Sequence, residues 1–246
     1  MTDLTGKKAL VTGGSRGIGA AIAQMLAKYG ADVAFTFQNS TDRAMAVGAA
    51  IEAHGRGGIA IRADSADPIA IRRSVDDAVK SLGGLDILVN NAGIALYGAI
   101  ADIKLEDIDA LLAVNVRGPI LATQAAVAHL GPGGRIITIG SAGADRIVGS
   151  TGTIYYMTKS ALQSFTRGLA QELGPRDITA NLVQPGSTDT DMNPADGEYS
   201  EFQRSIVPLG RYSAPADIAA AVAFLASPAA RQITGAILNV DGGLNT

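Results

Sequence analysis

Short runs of apolar, often β-branched residues alternate along this chain with longer segments in which apolar side chains recur every three or four positions. The short runs have the length of buried strands, and the longer segments have the period of helices that cover one face. Regular alternation of the two is typical of repeated strand–helix–strand units around a parallel sheet. The pattern therefore predicts an α/β fold, with a doubly wound parallel sheet of about seven strands and helices on both faces.

The predicted elements follow one another with short connections. Strands are expected at KALVT (8–12), DVAFTF (32–37), GIAIR (58–62), DILVN (86–90), GRIITIGS (134–141), ITANLVQPG (178–186) and AILNV (236–240). Helices are expected at 17–30, about 41–54, from the Asp67–Pro68 pair onward, about 105–130, 155–173 and 215–227. Residues 187–212 are polar and irregular, which predicts a mobile lid. No linker interrupts the series, so residues 1–246 are expected to form one domain.

Composition narrows the class of protein. Of the 246 residues, 47% are hydrophobic and 17% charged, which is the balance of a compact protein with a large core. A net charge of −3, without a Lys/Arg cluster interleaved with aromatic residues, argues against a nucleic-acid surface. Polar residues break the longest apolar stretch and no secretory signal is visible, so we expect no membrane span and a cytoplasmic location.

Cysteine and histidine set further limits on the chemistry. The chain has no cysteine, which excludes disulfides, thiolate nucleophiles and thiolate metal sites. The two histidines, His54 and His129, are far apart and fall in predicted helices. No metal site is therefore expected.

The segment TGGSRGIG, residues 12–19, follows the first predicted strand and opens the first predicted helix. Phosphates bind at this place in α/β sheets, because free N–H groups and the helix dipole favour an anion and glycine lets the backbone approach closely. The G-x-x-x-G-x-G spacing would equally suit a tight turn that binds nothing. The candidate phosphate loop consists of Gly13, Ser15, Arg16, Gly17, Ile18 and Gly19.

The end of the second strand bears on the choice between NAD and NADP. A site that prefers NAD has an acidic side chain there, which accepts from the ribose 2′-hydroxyl and would repel a 2′-phosphate. This strand ends AFTFQNST, with Phe37 and Gln38 where the carboxylate is expected and Asn39 next to them. Arg16 is available to pair with a 2′-phosphate through its planar guanidinium, although a solvated surface arginine is the alternative. These features predict NADP(H) as the cofactor.

Two polar residues after the third strand are candidates for contacts to the adenine. They are Asp64 and Ser65, which follow GIAIR closely. Asp64 is explained equally well as a turn or helix-cap residue, so both interpretations stay open.

A tyrosine–lysine pair provides the candidate chemistry. In GTIYYMTKSAL, residues 152–162, Tyr155 lies four positions and Tyr156 three positions before Lys159, so either tyrosine can meet the lysine on a helix. Together with TGGSRGIG, NNAG at 90–93, PG at 185–186 and the closing DGG, this segment resembles the motif order of the short-chain dehydrogenase/reductase family. The resemblance covers nearly the whole chain and implies a Rossmann-type fold that reduces carbonyl groups with a nicotinamide cofactor.

The resemblance also implies a catalytic set. The family pattern Tyr-x-x-x-Lys selects Tyr155 as general acid and Lys159 as the cation beside it, with Ser141 steadying charge on the substrate oxygen. Asn115, which interrupts the apolar LLAVNV, would order a water near the lysine, or would bond only to backbone. Tyr156 is bulkier than the residue the family often places there. It is expected to pack at a helix interface, with shaping of the substrate pocket as the alternative.

The chemistry explains why a lysine is needed. Tyrosine has an ordinary pKa of about 10, and bringing it to about 7 requires on the order of 4 kcal/mol of phenolate stabilisation. The ammonium group of Lys159 and the positive charge of oxidised nicotinamide are expected to provide it. The remaining cofactor contacts implied by the resemblance are Asn91, Ala92 and Gly93 after the fourth strand, Pro185 and Gly186 beside the nicotinamide, Thr188 near its carboxamide, and Thr190 near a phosphate.

The residues most free to set specificity are mainly apolar, which suits a hydrophobic ketone. The candidate pocket residues are Ile94, Leu96, Ile147, Val148 and Met192, with Tyr97 and Arg146 beside them. The sequence therefore favours an NADPH-dependent carbonyl reductase that acts reversibly as an alcohol dehydrogenase on a small-molecule ketone or alcohol.

Two alternatives remain. Reduction of 3-oxoacyl chains on acyl carrier protein would need basic residues at the pocket mouth; Arg176 is a candidate, and AHLGPGG before the fifth strand offers none. A regulator that binds nucleotide without turnover is the other, and the intact Ser-Tyr-Lys set argues against it. By resemblance, the protein is expected to be a homotetramer.

Overall fold

A computed structural model describes residues 2–246 of the chain. Its strands are β1 (Lys8–Val11), β2 (Asp32–Phe37), β3 (Gly58–Arg62), β4 (Leu85–Asn90), β5 (Leu130–Ile139), β6 (Thr179–Pro185) and β7 (Ile237–Val240). They form one sheet in the order β3-β2-β1-β4-β5-β6-β7, and every neighbouring pair is parallel. The predicted doubly wound parallel sheet is confirmed.

Helices cover both faces of this sheet. They are α1 (Gly17–Lys28), α2 (Thr41–Glu52), α3 (Pro68–Leu82), α4 (Leu105–Leu112), α5 (Gly118–Val127), α6 (Thr153–Leu173), α7 (Ser200–Ser205) and α8 (Pro215–Ala226). Helices α1, α2 and α8 contribute to the core on one face, and α3, α5 and α6 to the core on the other.

The strands are apolar on both sides because both sides are covered. Along β1, Val11 packs into the core with α1 and α8, whereas Leu10 packs into the opposite core with α3 and α5. Phe35 in β2 and Ile137 in β5 are fully buried on the first face. This period of two directs successive side chains to the two helical layers and fixes the strand register.

The start of α3 follows the local prediction. The side chain of Asp67 accepts hydrogen bonds from the N–H groups of Ile69 and Ala70, and Pro68 occupies the first helical turn. The helix ends at Leu82 and is capped by Gly83, whose φ of 72° lies in the left-handed region.

The long helix expected over about 105–130 is interrupted. A π-helical turn, Ala113–Arg117, joins α4 to α5, and Leu130 already belongs to β5. Such turns insert an extra residue into a helix and are frequent at functional sites. By length and composition the run Leu105–Val127 would suffice to cross a membrane; in this structure α5 packs against α3 and β4 as one layer of the fold.

The segment 187–212, expected to be irregular, contains the short helix α7 and local pairings. Thr188 forms an isolated parallel bridge with Ser213, and Ser187 Oγ lies 2.6 Å from Gln203 Oε1 on α7. Helix α7 was not predicted, because six residues are too few to show a helical period.

Candidate active site

A cleft of about 900 Å³ lies along the carboxyl ends of the strands. Residues that follow β1 and β4 line it, and these two neighbours are where the strand order changes direction. Ligands of open α/β sheets bind at this switch point, because the connections leave the two strands toward opposite faces. The cleft is therefore where the fold itself predicts a ligand.

The glycine loop before α1 is shaped by close backbone approach. Gly13 and Gly17 have φ values of 67° and 52°, in the left-handed region. A Cβ on Gly19 would lie 2.2 Å from the Gly13 carbonyl oxygen and 2.4 Å from Asn91 Nδ2. This amide nitrogen donates to the carbonyls of Thr12 and Gly13 at 2.9 and 3.0 Å. The loop thus forms a cradle that fits a dinucleotide phosphate at a helix N-terminus.

All residues expected to contact the cofactor line this cleft. They are Gly13, Ser15, Arg16, Gly17, Ile18, Gly19, Gln38, Asn39, Asp64, Ser65, Asn91, Ala92, Gly93, Tyr155, Lys159, Pro185, Gly186, Thr188 and Thr190. Asp64 also accepts from the N–H of Ala66 at 2.8 Å, so it has the turn geometry of its alternative interpretation as well.

Gly186 and the closing DGG meet at the cleft. A Cβ on Gly186 would lie 2.7 Å from the Cα of Asp241, so only glycine lets the end of β6 pass this close to the C-terminal segment. Asp241 in turn accepts from the N–H groups of Gly243 and Asn245, which closes the chain into a turn. The close approach places the segment after β6 along the cleft wall.

Sequence patterns did not single out the ion pair between Arg43 and Asp191, of which Asp191 lines the cleft. Arg43, in the first turn of α2, donates to the carboxylate of Asp191, and Arg16 Nη1 lies 3.8 Å from the same oxygen, Oδ2. The hydrogen bond and charge of Arg43, with a smaller contribution from Arg16, lower the pKa of the Asp191 carboxyl. Asp191 is 148 positions from Arg43, so no local pattern relates them.

Ser141, Tyr155 and Lys159 meet where β5 and α6 border the cleft. Ser141 lies two positions after the end of β5, and its Oγ accepts from the N–H of Gly143 at 3.2 Å. The serine hydroxyl is placed where donation to the phenol oxygen of Tyr155 lowers the pKa of that tyrosine. The buried Lys159 donates to the carbonyl of Ile139 at 3.2 Å, and its Nζ lies 6.0 Å from the centroid of the tyrosine ring.

Burial governs the protonation of both titrating groups. Burial raises the pKa of Tyr155, the neighbouring Tyr97 raises it further, and the hydrogen bond from Ser141 opposes both. Burial lowers the pKa of Lys159 from 10.5 to about 8. The phenolate stabilisation expected from Lys159 together with oxidised nicotinamide stays a prediction; in this structure the Nζ of Lys159 is directed to the Ile139 carbonyl.

Asn115 lies in the π turn between α4 and α5 and is buried. Its Oδ1 accepts from the N–H of Ile94, and its Nδ2 donates to the Ile94 carbonyl and to Thr158 Oγ1, at 2.9, 2.9 and 3.1 Å. A Cβ on Gly93 would lie 3.3 Å from Lys159 Nζ and 3.4 Å from Asn115 Oδ1. The amide thus ties the segment after β4 to α6 close to the lysine, and its bonds are not to backbone alone.

Tyr156 packs against the loop that joins β5 to α6. Its ring lies between two glycines of the β5–α6 loop, since a Cβ on Gly143 or Gly152 would be 2.1 or 2.4 Å from ring carbons. Its hydroxyl donates to the carbonyl of Val148 at 2.9 Å, and its ring meets that of Tyr155 edge-on at 5.3 Å between centroids. It therefore holds the loop against α6 and lines the cleft, as its alternative interpretation expected.

Polar side chains anchor the loop between β5 and α6 to neighbouring elements. Asp145 accepts from Gln163 on α6 and from the fully buried Gln184 on β6, both at 2.7 Å. Arg146 donates to the carbonyl of Leu244 at 2.7 Å, which ties the loop to the C-terminal segment. The guanidinium of Arg146 thus has an internal partner.

Residues expected in the substrate pocket divide into two groups. Ile94, Val148 and Met192 line the cleft, as does Tyr97, whose ring centroid lies 5.7 Å from that of Tyr155. Leu96 and Ile147 lie outside the lining, and Ile147 is 62% exposed. Phe202 on α7 lines the cleft too and was missed, because the short helix that presents it was not predicted.

Comparison with known proteins gives the family. The family model described as enoyl-(acyl carrier protein) reductase matches residues 13–245. The chain is 43% identical over 242 residues to a cyclic-di-GMP-binding biofilm dispersal mediator protein of Escherichia coli K12, covering 98% of each chain. It is 40% identical over 253 residues to the versicolorin reductase stcU of Emericella nidulans, covering 98% of this chain and 96% of that one.

A solved structure is more similar still. A short chain dehydrogenase from Burkholderia cenocepacia J2315, crystallised in complex with NADP, is 57% identical and superposes with a TM-score of 0.98 over 99% of both chains. Together with the glycine loop and the Ser-Tyr-Lys arrangement, these similarities establish the family. The chain belongs to the short-chain dehydrogenase/reductase family.

Proposed function

We propose that this oxidoreductase is an NADPH-dependent carbonyl reductase that reduces a hydrophobic ketone and, in reverse, oxidises the corresponding alcohol. NADP(H) is its cofactor, in agreement with the NADP found in the Burkholderia relative. The observation that carries the proposal is the meeting of Ser141, Tyr155 and the buried Lys159 at one end of a cleft that also contains the glycine cradle.

The proposed reaction follows from where charge develops. Bound NADPH supplies the hydride that reduces the carbonyl carbon. Negative charge then develops on the substrate oxygen, and Tyr155 donates its phenolic proton there while the hydroxyl of Ser141 donates a hydrogen bond. The phenolate left behind is stabilised by the ammonium group of Lys159 on the next turn of α6.

Asn115 serves as a positioning residue in this proposal. Its amide fixes Ile94 and Thr158 relative to one another, and Thr158 precedes the lysine directly on α6. The π turn is what lets the amide reach both partners from within a helical run. Through Thr158, Asn115 thereby helps to hold Lys159 in its buried position.

We expect the rate of ketone reduction to fall as the pH rises above about 8. Burial lowers the pKa of Lys159 to about 8, so above that pH the lysine loses the charge that stabilises the phenolate, whereas below it the charge is retained. The measurement is kcat with saturating NADPH from about pH 6 to about pH 10, with about a tenfold loss per pH unit on the alkaline side.

Lys159→Arg is the matched control for this profile. A guanidinium does not deprotonate in this range, so whatever activity the variant retains is expected to lack the fall near pH 8. A wild-type rate that stays level between about pH 7 and about pH 10 would remove the lysine from the proposed proton chemistry.

The apolar part of the cleft supports a hydrophobic ketone as substrate. Ile94, Val148, Met192 and Phe202 line it, and among the described residues of the cleft the cationic side chains are Arg16 of the glycine loop and the catalytic candidate Lys159. Arg176, the candidate for acyl carrier protein, donates to the carbonyls of Val127 and Leu130. Leu130 begins β5, so this arginine lies at the amino ends of the strands, across the sheet from the cleft. The geometry therefore favours the free ketone over a carrier-bound chain.

A nucleotide-binding regulator remains a second candidate because of one relative. The Escherichia coli protein that is 43% identical to this chain is named for cyclic-di-GMP binding and biofilm dispersal. A regulator would bind NADPH or a cyclic dinucleotide without consuming NADPH in the presence of a ketone.

One assay separates these functions. Purified protein is given NADPH or NADH with a hydrophobic aromatic ketone or with an acetoacetyl thioester, and nicotinamide oxidation is followed by absorbance. We expect turnover of the ketone, faster with NADPH than with NADH. Preference for the thioester would move the function to acyl-chain reduction, and binding of NADPH without turnover of either would favour the regulator.

The proposal also covers the domain organisation, the location and the oligomeric state of the enzyme. We propose one domain over residues 1–246, with 187–212 as a substrate lid, and a cytoplasmic homotetramer. Exposed apolar side chains on the outer helices, Leu105 on α4, Ile120 on α5 and Met157 on α6, support burial of this face between copies of the chain.

A further inference from the structure

One backbone peptide lies between the catalytic candidate Ser141 and the closing segment of the chain, residues 241–246. The N–H of Gly143 donates to Ser141 Oγ at 3.2 Å. The carbonyl of Ala142 accepts from Nδ2 of Asn245 at 3.0 Å. This N–H and this carbonyl belong to the same trans peptide unit, so they point to opposite edges of one rigid plane. Asn245 and the serine hydroxyl are therefore bonded to the two edges of a single peptide.

The orientation of this peptide bears directly on the chemistry proposed for Ser141. A hydroxyl group has one proton to donate and two positions at which it accepts. Because Oγ accepts from the N–H of Gly143, one accepting position is directed to the backbone and the proton stays free for the cleft. There it donates to the phenol of Tyr155 or, with substrate bound, to the substrate oxygen. Rotation of the peptide plane would remove this restraint and release the serine to other rotamers.

The Ala142 carbonyl has two kinds of donor. The N–H groups of Asp145 and Arg146 bond to it at 3.1 and 3.2 Å, and both belong to the loop after β5. These turn bonds move with the loop and do not tie it to the rest of the fold. Asn245 is a donor from outside the loop, 103 positions along the chain. Ala142 is 1% exposed, so bulk water does not reach this carbonyl to replace the amide.

Asn245 is itself held by a turn of the closing segment. Its N–H donates to Oδ2 of the buried Asp241 at 3.1 Å, and the N–H of Gly243 donates to Oδ1 of the same carboxylate at 2.9 Å. The neighbouring Leu244 is buried and packs into a small core with Ala142. The closing segment is thus fixed on both sides of the amide, and the amide is a firm support for the peptide.

We propose that Asn245 is a positioning residue for ketone reduction. Its amide fixes the peptide between Ala142 and Gly143, and this peptide holds the hydroxyl of Ser141 in the orientation that donates to the developing oxyanion. Asn245 does not line the cleft, so it acts through the serine and not on substrate or cofactor. The inference rests on the proposed function, in which Ser141 stabilises charge on the substrate oxygen.

The first test is Asn245→Leu in the intact protein. Leucine has a similar shape but no donor, and it also removes the amide oxygen Oδ1, which is buried without a hydrogen-bond partner among the described residues. With saturating NADPH we expect kcat for ketone reduction to fall about tenfold, because the serine is less well oriented. The KM for the ketone and the calorimetric Kd for NADPH stay within about twofold. An unchanged urea midpoint shows that the variant is folded.

A double-mutant cycle with Ser141→Ala tests whether Asn245 acts through the hydroxyl. Ser141→Ala alone is expected to lower kcat about a hundredfold. In that background Asn245→Leu should change kcat by less than about twofold, because the group that it positions is gone. A purely structural role would instead give the same loss in both backgrounds.

Thr246→Val is the matched control in the closing segment. It removes the hydrogen bond from Thr246 Oγ1 to the Gly243 carbonyl, which has no contact with the serine loop. This variant is expected to retain the wild-type kcat. A loss in Thr246→Val as large as that in Asn245→Leu would overturn the inference, because any disturbance of the segment would then have the same effect.

The failure of this inference is distinguishable from failure of the proposed function. A wild type that turns over no ketone, or a Ser141→Ala variant with full kcat, would contradict the proposed function and overturn the inference with it. With the wild type active and the serine required, the inference alone is overturned if Asn245→Leu keeps full kcat, if it loses activity equally in both backgrounds, or if its loss appears in KM instead of kcat.

Discussion

Replacing Tyr155 with phenylalanine is expected to lower kcat for ketone reduction about a thousandfold while leaving the affinity for NADPH within about twofold. The ring is retained, so its packing against Tyr97 and Tyr156 is conserved, and only the proton donor is lost. The measurement pairs steady-state NADPH oxidation with a calorimetric dissociation constant. Retention of most of the activity would show that another group supplies the proton.

Tyr156→Phe is the matched control for this result. Its hydroxyl donates to the carbonyl of Val148 and has no hydrogen bond to the serine or the lysine. Losing that bond is expected to lower the free energy of unfolding by about 1 kcal/mol and to leave kcat largely unchanged. If the two variants showed the reverse pattern, with Tyr156→Phe inactive and Tyr155→Phe active, the assignment of the acid would be wrong.

Gly19→Ala is expected to weaken NADPH binding about a hundredfold and to lower the free energy of unfolding by about 1–3 kcal/mol. The added Cβ would lie 2.2 Å from the Gly13 carbonyl oxygen, a backbone atom that cannot move without opening the glycine cradle. It would also meet Asn91 Nδ2, which holds the loop through two carbonyls. Calorimetric NADPH titration and urea unfolding measure the two effects.

Gly168→Ala provides the control for the same substitution. Gly168 is exposed within α6 and a Cβ there meets no atom within 4 Å. Alanine at this position should leave NADPH affinity unchanged, because Gly168 does not line the cleft. A Gly19→Ala variant that binds NADPH as tightly as this control would contradict the role given to the close approach.

Sequence patterns were sufficient to predict the local secondary-structure elements. The strands carry apolar runs, and Asp67 with Pro68 marks the start of α3 through a side-chain cap that depends only on neighbouring residues. Helix boundaries were less accurate where tertiary contacts intervene. The run from 105 was expected to be one helix, yet Asn115 lies in a π turn because its amide bonds to Ile94 and Thr158, which are distant in sequence.

The candidate site, too, has features that the sequence predicted and features that only the structure showed. The motif order predicted that the glycine loop would share one cleft with Ser141, Tyr155 and Lys159, and these residues line one cleft in the structure. It did not predict that Lys159 would donate to the Ile139 carbonyl with a lowered pKa, since burial is a property of the packed site. Nor could it relate Arg43 to Asp191, or assign Tyr156 to the two glycines around its ring.

The sequence by itself determined the parallel α/β fold, and it predicted the glycine loop and the residues proposed to carry the chemistry. The fold follows from the period of apolar residues, whereas the choice of Ser141, Tyr155 and Lys159 followed from the resemblance to the family's motif order. Tertiary structure alone decided how the pKa values shift, which loop Tyr156 supports and which carboxylate the two arginines hold. Each of these depends on contacts between residues far apart in the chain. Burial and spatial distance, and not position in the sequence, set the interaction energies of such contacts.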